Sequence, residues 1–158
     1  DWSSDVCSSD LNSISVSVID TGDTARSDLF STSPGTSDYV SNVGGANDEI
    51  HIVVTDSGGL FTGNKGTVLE TFPFVSKAVD AVNLNTGSTN YYKQVVFNQS
   101  KYIYAVDPAD YANTSATWGT TASNKTFGSM NVKYATFALG GGTDTAPSDA
   151  NKIGRAHV

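Results

Sequence analysis

The sequence has few of the residues that build disulfides, metal sites or charged surfaces. Its 158 residues include one cysteine and two histidines, and charged residues make up 16%, below the ~25% usual for globular domains. One cysteine cannot form an internal disulfide. No stretch approaches the ~18 consecutive apolar residues that a membrane-spanning helix needs. With 16 acidic and 9 basic residues and a net charge of -7, the chain is poorly suited to bind polyanionic nucleic acid.

The two ends of the chain are related through the genetic code. Residues Asp5–Leu11 can be encoded by GAC GTG TGC TCT TCC GAT CTT, and the reverse complement of that string encodes Lys152–Val158. This relation is expected when one sequencing adapter is read through at both edges of an assembled fragment, and such segments are set aside before the fold is considered. We therefore interpret residues 1–11 and 152–158 as adapter-like sequence and residues 12–151 as an internal fragment of a longer protein.

Setting the ends aside removes the cysteine and one histidine. The remaining 140 residues carry 13 acidic and 7 basic side chains, with His51 and Trp118 as the single members of their types. Cysteine nucleophiles and Cys/His metal clusters are thus excluded from this part of the chain. We expect no enzyme activity and assign no catalytic, cofactor-binding or metal-binding residue.

A period-two alternation of polar and branched apolar residues predicts strands in five places. These segments are 13–19, 49–55, 66–72, 101–106 and 132–139. The first is expected to be half-buried, and Pro73 is expected to close the third. The second and third are joined by only a few residues, which favours antiparallel neighbours because a parallel return needs about a dozen.

A short helix is predicted where Tyr92, Val95 and Val96 fall at i, i+3 and i+4, with Asn90 or Thr89 as its N-cap. The remaining connections are rich in Gly, Ser, Thr and Asn, which is typical of loops. The predicted class is α+β and β-rich, a mainly antiparallel sheet with one or two short helices and long polar loops.

Two of those loops are long. Residues 24–47 are expected to form a surface excursion with a short helical turn at most, in which Leu29, Phe30, Tyr39 and Val40 could act as anchors. Residues 113–131 are expected to form a loop or loose hairpin that contributes no core element.

Two Asp-x-Gly turns suggest an aspartic protease, in which paired carboxylates share a proton and activate water. They are Asp20-Thr21-Gly22 and Asp56-Ser57-Gly58, and their aspartates are only 36 residues apart, too close for a two-lobed enzyme. Asp followed by Gly is also ordinary turn chemistry, and we favour that interpretation. His51 lies opposite the apolar face of its strand and is expected to be exposed.

Other candidate sites have equally ordinary explanations. Gly63–Thr67 and Gly140–Thr143 lack the spacing of a phosphate-binding loop. Asp20, Asp23 and Asp28 do not fit a calcium loop and are expected to be solvated turn acids. The sequence also carries three Asn-x-Ser/Thr patterns, at 98–100, 113–115 and 124–126, which this composition produces by chance.

Aromatic residues leave two possibilities open. They could form a sugar-stacking surface, or they could serve interior packing and subunit contacts. The residues concerned are Tyr91, Tyr92, Tyr102, Tyr104, Trp118 and Phe127.

The order of the segments resembles the contractile tail sheath protein of T-even-type bacteriophages. The matching pieces, in order, are Asn12–Val18, Asp48–Val54, Gly66–Ser76, Asn90-Tyr91-Tyr92, Asn98–Ile103 and Phe137–Asp144. Within the last piece, Leu139-Gly140-Gly141-Gly142-Thr143-Asp144 corresponds to the family's Leu-x-Gly-Gly-x-Asp junction. The resemblance covers nearly all of residues 12–144. Residues 107–131 depart from it and are interpreted as a variable loop.

This resemblance implies a virion structural protein, with the fragment as the central β-rich part of the subunit. Such subunits stack as hexameric rings around a tail tube and contract to drive the tube through the host envelope. The implied partners are further copies of the subunit, the tube protein and the baseplate, without a cofactor, nucleic acid or membrane insertion, and assembly would occur in the bacterial host cytoplasm. The alternative is a carbohydrate- or surface-binding β-domain of a phage or cell-surface adhesion protein.

Overall fold

The computed structural model describes residues 13–104, 117–130 and 134–138. Within these ranges it contains four strands and two helices. The elements are β1 (Ile14–Ile19), α1 (Asp38–Asn42), β2 (Glu49–Asp56), β3 (Thr67–Ser76), α2 (Tyr92–Gln99) and β4 (Tyr134–Ala138).

The strands form one antiparallel sheet in the order β3-β2-β1-β4. Val16 of β1 pairs with Val54 on one side and with Phe137 on the other. The α+β, β-dominated class predicted from the sequence is confirmed, as is the antiparallel pairing of β2 with β3. Residues 134–138 of the predicted 132–139 strand form β4, and the rest of that prediction lies outside the described residues.

The main core lies on the face of the sheet that is covered by α2. Alternate residues of β1 and β2 point to this face and are fully or almost fully buried, and they pack against the buried side of α2. The cluster includes Ile14, Val16, Val18, Ile50, Ile52, Val54, Tyr92, Val95 and Val96. Each such side chain contributes about 1.5–3 kcal/mol relative to an exposed one.

The opposite face of the sheet is buried as well, so the prediction of a half-buried first strand is wrong. All six residues of β1 are buried, including Ser15 and Ser17. Phe30, from the loop that follows β1, packs there against Ile19 and Val53. β1 is covered on both faces because it is a central strand and because this loop folds back over it.

β3 continues past Pro73 to Ser76, so the prediction that Pro73 ends the strand is wrong. Within the described residues β3 has a ladder partner on one side only, and an edge strand tolerates proline because the missing N–H costs no ladder bond. A register shift accompanies it, since Ile52 pairs with Phe72 whereas Ile50 pairs with Val75. The extra residue is accommodated by a bulge with Phe74 at a φ of 53°.

Helix α2 forms where it was predicted, but neither predicted residue caps it. Its N-cap is Tyr91, without a side-chain hydrogen bond. The Asn90 amide instead donates to the carbonyl of Phe74 at 2.9 Å. Thr89 Oγ1 accepts from the Tyr91 N–H, outside the helix. Both candidate caps are therefore used to fasten the segment that leads into the helix.

Two further predictions from the sequence are wrong. Residues 101–104 form no strand; they make a tight turn in which Ser100 Oγ accepts from the N–H groups of Tyr102 and Ile103. Residues 105–106 lie outside the described residues.

In the segment 113–131, which was predicted to contribute no core element, Ala122 and Phe127 are 0% and 2% exposed. They form a second cluster with Val40 of α1, so this segment covers the buried side of α1.

Candidate functional site

The antiparallel sheet separates the two Asp-x-Gly turns. Ile14, at the start of β1, pairs with Asp56, and Ile19, at its end, pairs with His51. Asp20 therefore lies about 20 Å along the strand from Asp56, at roughly 3.3 Å per residue. Two carboxylates at that separation cannot share a proton, so the arrangement of an aspartic protease is not formed.

Asp56 organises the loop that follows it, in agreement with the turn interpretation. Its Oδ1 accepts from the N–H groups of Gly59 and Leu60, and its Oδ2 accepts from those of Phe61 and Thr62. Burial opposes ionisation of this carboxyl, but the hydrogen bonds outweigh that effect and lower its pKa. Asp56 thus holds four consecutive residues of the β2–β3 loop in one conformation.

Asp20 belongs to a buried ion pair, so its prediction as a solvated turn acid is wrong. The Lys77 ammonium donates to Asp20 Oδ1, and both side chains are 0% exposed. The ammonium also donates to the carbonyls of Asn47 at 3.0 Å and Gly128 at 3.3 Å. The second carboxylate oxygen accepts from the Met130 N–H. Buried charges are tolerated only when they are paired and hydrogen-bonded in this way.

A second buried carboxylate, that of Asp48, lies at the same end of the sheet. Asp48 accepts from the N–H and hydroxyl of Ser37, each at 2.8 Å, and from the hydroxyl of Ser76. We call Asp20, Asp48, Ser76 and Lys77 the buried polar centre. Its groups bind one another and nearby backbone, and they fasten residues 37, 47, 128 and 130 to the end of the sheet.

Sequence reasoning missed Lys77 and Asp48. No motif surrounds either residue, and an isolated charged residue is usually exposed. The one available signal is that Lys77 follows the apolar run Phe72–Val75 after a single serine, Ser76, and this does not distinguish a buried lysine from an exposed one.

His51 is 1% exposed, so the prediction of an exposed strand residue is wrong. Its Nδ1 accepts from the Phe74 N–H, and its Nε2 donates to the Thr32 carbonyl, both at 3.0 Å. These partners require the neutral ring with the proton on Nε2. The ring stacks on Phe30, with centroids 4.1 Å apart. Burial lowers the pKa of His51, although its backbone hydrogen bonds partly oppose that effect.

The three turn acids are not brought together as a cation site. Asp23 accepts from the Ala25 N–H at 2.7 Å, and Asp28 pairs with Arg26 at 3.2 Å. Asp20 is occupied by Lys77. Throughout the part of the chain that the structure describes, no three His, Cys, Asp or Glu side chains are grouped to hold a metal ion.

The six aromatic residues do not share one exposed surface. Tyr92 and Phe127 are buried. Trp118 donates from Nε1 to the Gly128 carbonyl at 2.8 Å and lies edge-on to Tyr92, with centroids 5.7 Å apart. Its ring also lies 4.9 Å from the Lys77 ammonium. Tyr104, in contrast, is 82% exposed. Most of these rings therefore serve interior packing rather than a sugar-stacking platform.

Comparisons of the chain with profiles of protein families, with curated proteins and with solved structures found no match. Neither helix within the described ranges is long and apolar enough to cross a membrane.

Proposed function

We propose that this chain is the central part of a subunit of a bacteriophage contractile tail sheath, a structural protein that polymerises with copies of itself around a tail tube. The observation that carries the proposal is the ordered succession of segments that resemble the sheath family. In the fold, three of these segments overlap strands of the sheet: 12–18 overlaps β1, 48–54 overlaps β2, and 66–76 contains β3.

The residues that first suggested enzymatic chemistry support the same proposal through their contacts. Asp56 holds a loop, His51 joins β3 to the Thr32 segment, and Asp20 neutralises Lys77. A side chain whose polar atoms are all committed to structural hydrogen bonds is poorly placed to act on a substrate. A domain built in this way suits a protein that transmits force between packed subunits, which rotate as rigid bodies between two arrangements.

The alternative, a carbohydrate- or surface-binding β-domain, has less support. Trp118, the aromatic residue best suited to stack on a sugar, has its indole N–H bonded to Gly128 and its ring against Lys77. Glycan-array binding by this chain that is lost in Trp118→Ala, with the fold intact by circular dichroism, would favour the alternative.

The sheath proposal is tested with the full-length parent protein. It is expected to form tubular polymers by negative-stain electron microscopy, and its gene is expected to lie beside genes for tube and baseplate proteins. A parent protein that remains monomeric, from a locus without such genes, would refute the proposal.

A further inference from the structure

One end of the sheet carries an exposed apolar loop. Leu60 and Phe61 lie in the β2–β3 connection and are 56% and 40% exposed. The Phe61 ring packs edge-on against Tyr102, with centroids 5.5 Å apart. We call Leu60, Phe61 and Tyr102 the apolar tip. Exposed apolar side chains that pack on one another are candidates for an interaction surface.

The apolar tip is held in place by the Asp56 carboxylate. The N–H groups of residues 59–62 all donate to it, so the loop that displays Leu60 and Phe61 is ordered before any partner arrives. A preordered anchor binds more tightly because less conformational entropy is lost on association.

Two exposed lysines flank the apolar tip. A Cβ placed on Gly59 would lie 3.1 Å from Lys65 Cγ, which puts Lys65 beside the loop, and Lys101 directly precedes Tyr102. The nearby carboxylate of Glu70 accepts from the Ser100 hydroxyl and the Lys101 N–H. The apolar tip is therefore bordered by two ammonium groups and one carboxylate, so its rim carries a net positive charge.

The opposite end of the sheet carries an open hollow of about 300 Å³ that is lined by carboxylates, by the amides of Asn83, Asn85 and Asn90, and by a few apolar side chains. Phe74 and Leu84 supply apolar lining, and Asp38 and Glu49 supply carboxylates. Among the described residues that line it, none is basic. We call this site the acidic hollow. Burial raises the pKa of Glu49; the hydrogen bond from the Gly35 N–H opposes that effect, and the nearby charges of Asp48 and Asp38 add to it.

We propose that the apolar tip of one copy of this chain docks in the acidic hollow of the next copy, with Lys65 and Lys101 facing Asp38 and Glu49. Charge complementarity between the two surfaces selects a second copy as the occupant, and this choice rests on the proposed function. The two surfaces lie at opposite ends of the eight-residue strand β2, about 25 Å apart. The contact is therefore head-to-tail, and such contacts repeat into rings or open filaments.

The test is sedimentation velocity of the 158-residue chain up to about 1 mM, a concentration at which even weak contacts are populated. The wild-type chain is expected to associate, less so at high salt. Lys65→Glu and Asp38→Lys are each expected to weaken association about tenfold, because each places like charges together. An equimolar mixture of the two variants is expected to restore it, since every tip then meets a hollow of opposite charge.

Matched controls separate this contact from general effects of charge and exposed area. Asp28→Lys makes the same charge change as Asp38→Lys outside the acidic hollow, and Phe97→Ser removes a side chain that is 64% exposed on α2. Both are expected to associate like the wild type, whereas Leu60→Ser is expected to associate about tenfold more weakly. Circular dichroism confirms that each variant is folded.

The outcomes distinguish the contact from the proposed function. A chain that is monomeric throughout the concentration range would overturn the docking. Association that is unchanged by Lys65→Glu and Asp38→Lys, or not restored by mixing them, would also overturn it. Tube formation by the full-length parent tests the sheath proposal separately. Charge-dependent association of the chain without tube formation by the parent would refute the sheath proposal and leave the docking contact standing.

Discussion

The Asp20–Lys77 pair allows the sharpest prediction, because its charges are completely buried. Lys77→Met leaves the Asp20 carboxylate without its counter-charge, and Asp20→Asn leaves the Lys77 ammonium with neutral acceptors only. Removing one partner of a buried ion pair costs about 3–5 kcal/mol. Since domains of this size are stable by about 5–15 kcal/mol, either variant loses a large part of its free energy of unfolding.

The double variant Asp20→Asn/Lys77→Met separates this reasoning from simple loss of packing. With both charges removed, no uncompensated charge remains, so the double variant is expected to lose no more stability than either single variant. That result corresponds to a coupling energy of at least about 3 kcal/mol, which is at or above the upper end of values for directly contacting residues. Coupling of this size would show that charge compensation, rather than side-chain shape, is what the pair supplies.

The assay is urea unfolding followed by circular dichroism and by tryptophan fluorescence. Trp118 is a local probe of the pair, because its ring lies 4.9 Å from the Lys77 ammonium. Lys125→Met is the matched control, because Lys125 is only partly buried and bonds a single hydroxyl, that of Thr120, at 3.1 Å. It is expected to change the free energy of unfolding by less than about 0.5 kcal/mol. The reasoning is refuted if Lys77→Met costs less than about 1 kcal/mol, or if the two single effects simply add in the double variant.

Three further predictions concern single positions. Burial lowers the pKa of His51 below its ordinary 6.5, so the unfolded chain takes up a proton at a higher pH than the folded chain does. The free energy of unfolding that neutral His51 contributes is therefore complete above pH 6.5. It falls as the pH drops toward the folded pKa, by at most about 1.4 kcal/mol per pH unit. The urea midpoint of His51→Gln should not show this pH dependence. If the midpoints of the wild type and of His51→Gln change with pH in parallel, the prediction is contradicted. Gly45→Ala should be strongly destabilising by thermal unfolding, because its Cβ would lie 2.6 Å from the Ala122 carbonyl oxygen; Gly35→Ala, whose nearest contact is at 3.8 Å, should be tolerated. Ile52→Ala should cost about 2–5 kcal/mol in urea, and a cost comparable to that of a surface substitution would place Ile52 outside the core.

Features encoded by local pattern were predictable from the sequence. β1 and β2 begin and end within one residue of their predicted limits, because period-two alternation records which side chains face a core. Helix α2 was predictable from its apolar spacing for the same reason. The end of β3 was not, because Pro73 reads as a stop unless the strand is known to lie at an edge.

The candidate site residues depended on contacts between distant parts of the chain. His51 looks exposed from its strand pattern, yet Phe30 and Phe74 enclose it from 21 and 23 residues away. Asp20 looks like a turn residue, yet its partner Lys77 is 57 positions distant. No local pattern records such partners, so burial of these polar groups could not be foreseen.

The sequence by itself determined the class of the fold, the positions of β1, β2 and α2, and the absence of cysteine from residues 12–151, because each of these is a property of composition or of short-range periodicity. Only the tertiary structure decided that the two Asp-x-Gly turns lie at opposite ends of the sheet, that Asp20 is neutralised by Lys77, and that the apolar tip and the acidic hollow face away from each other. Antiparallel pairing is the physical reason, since it places residues that look alike along the chain at opposite ends of neighbouring strands.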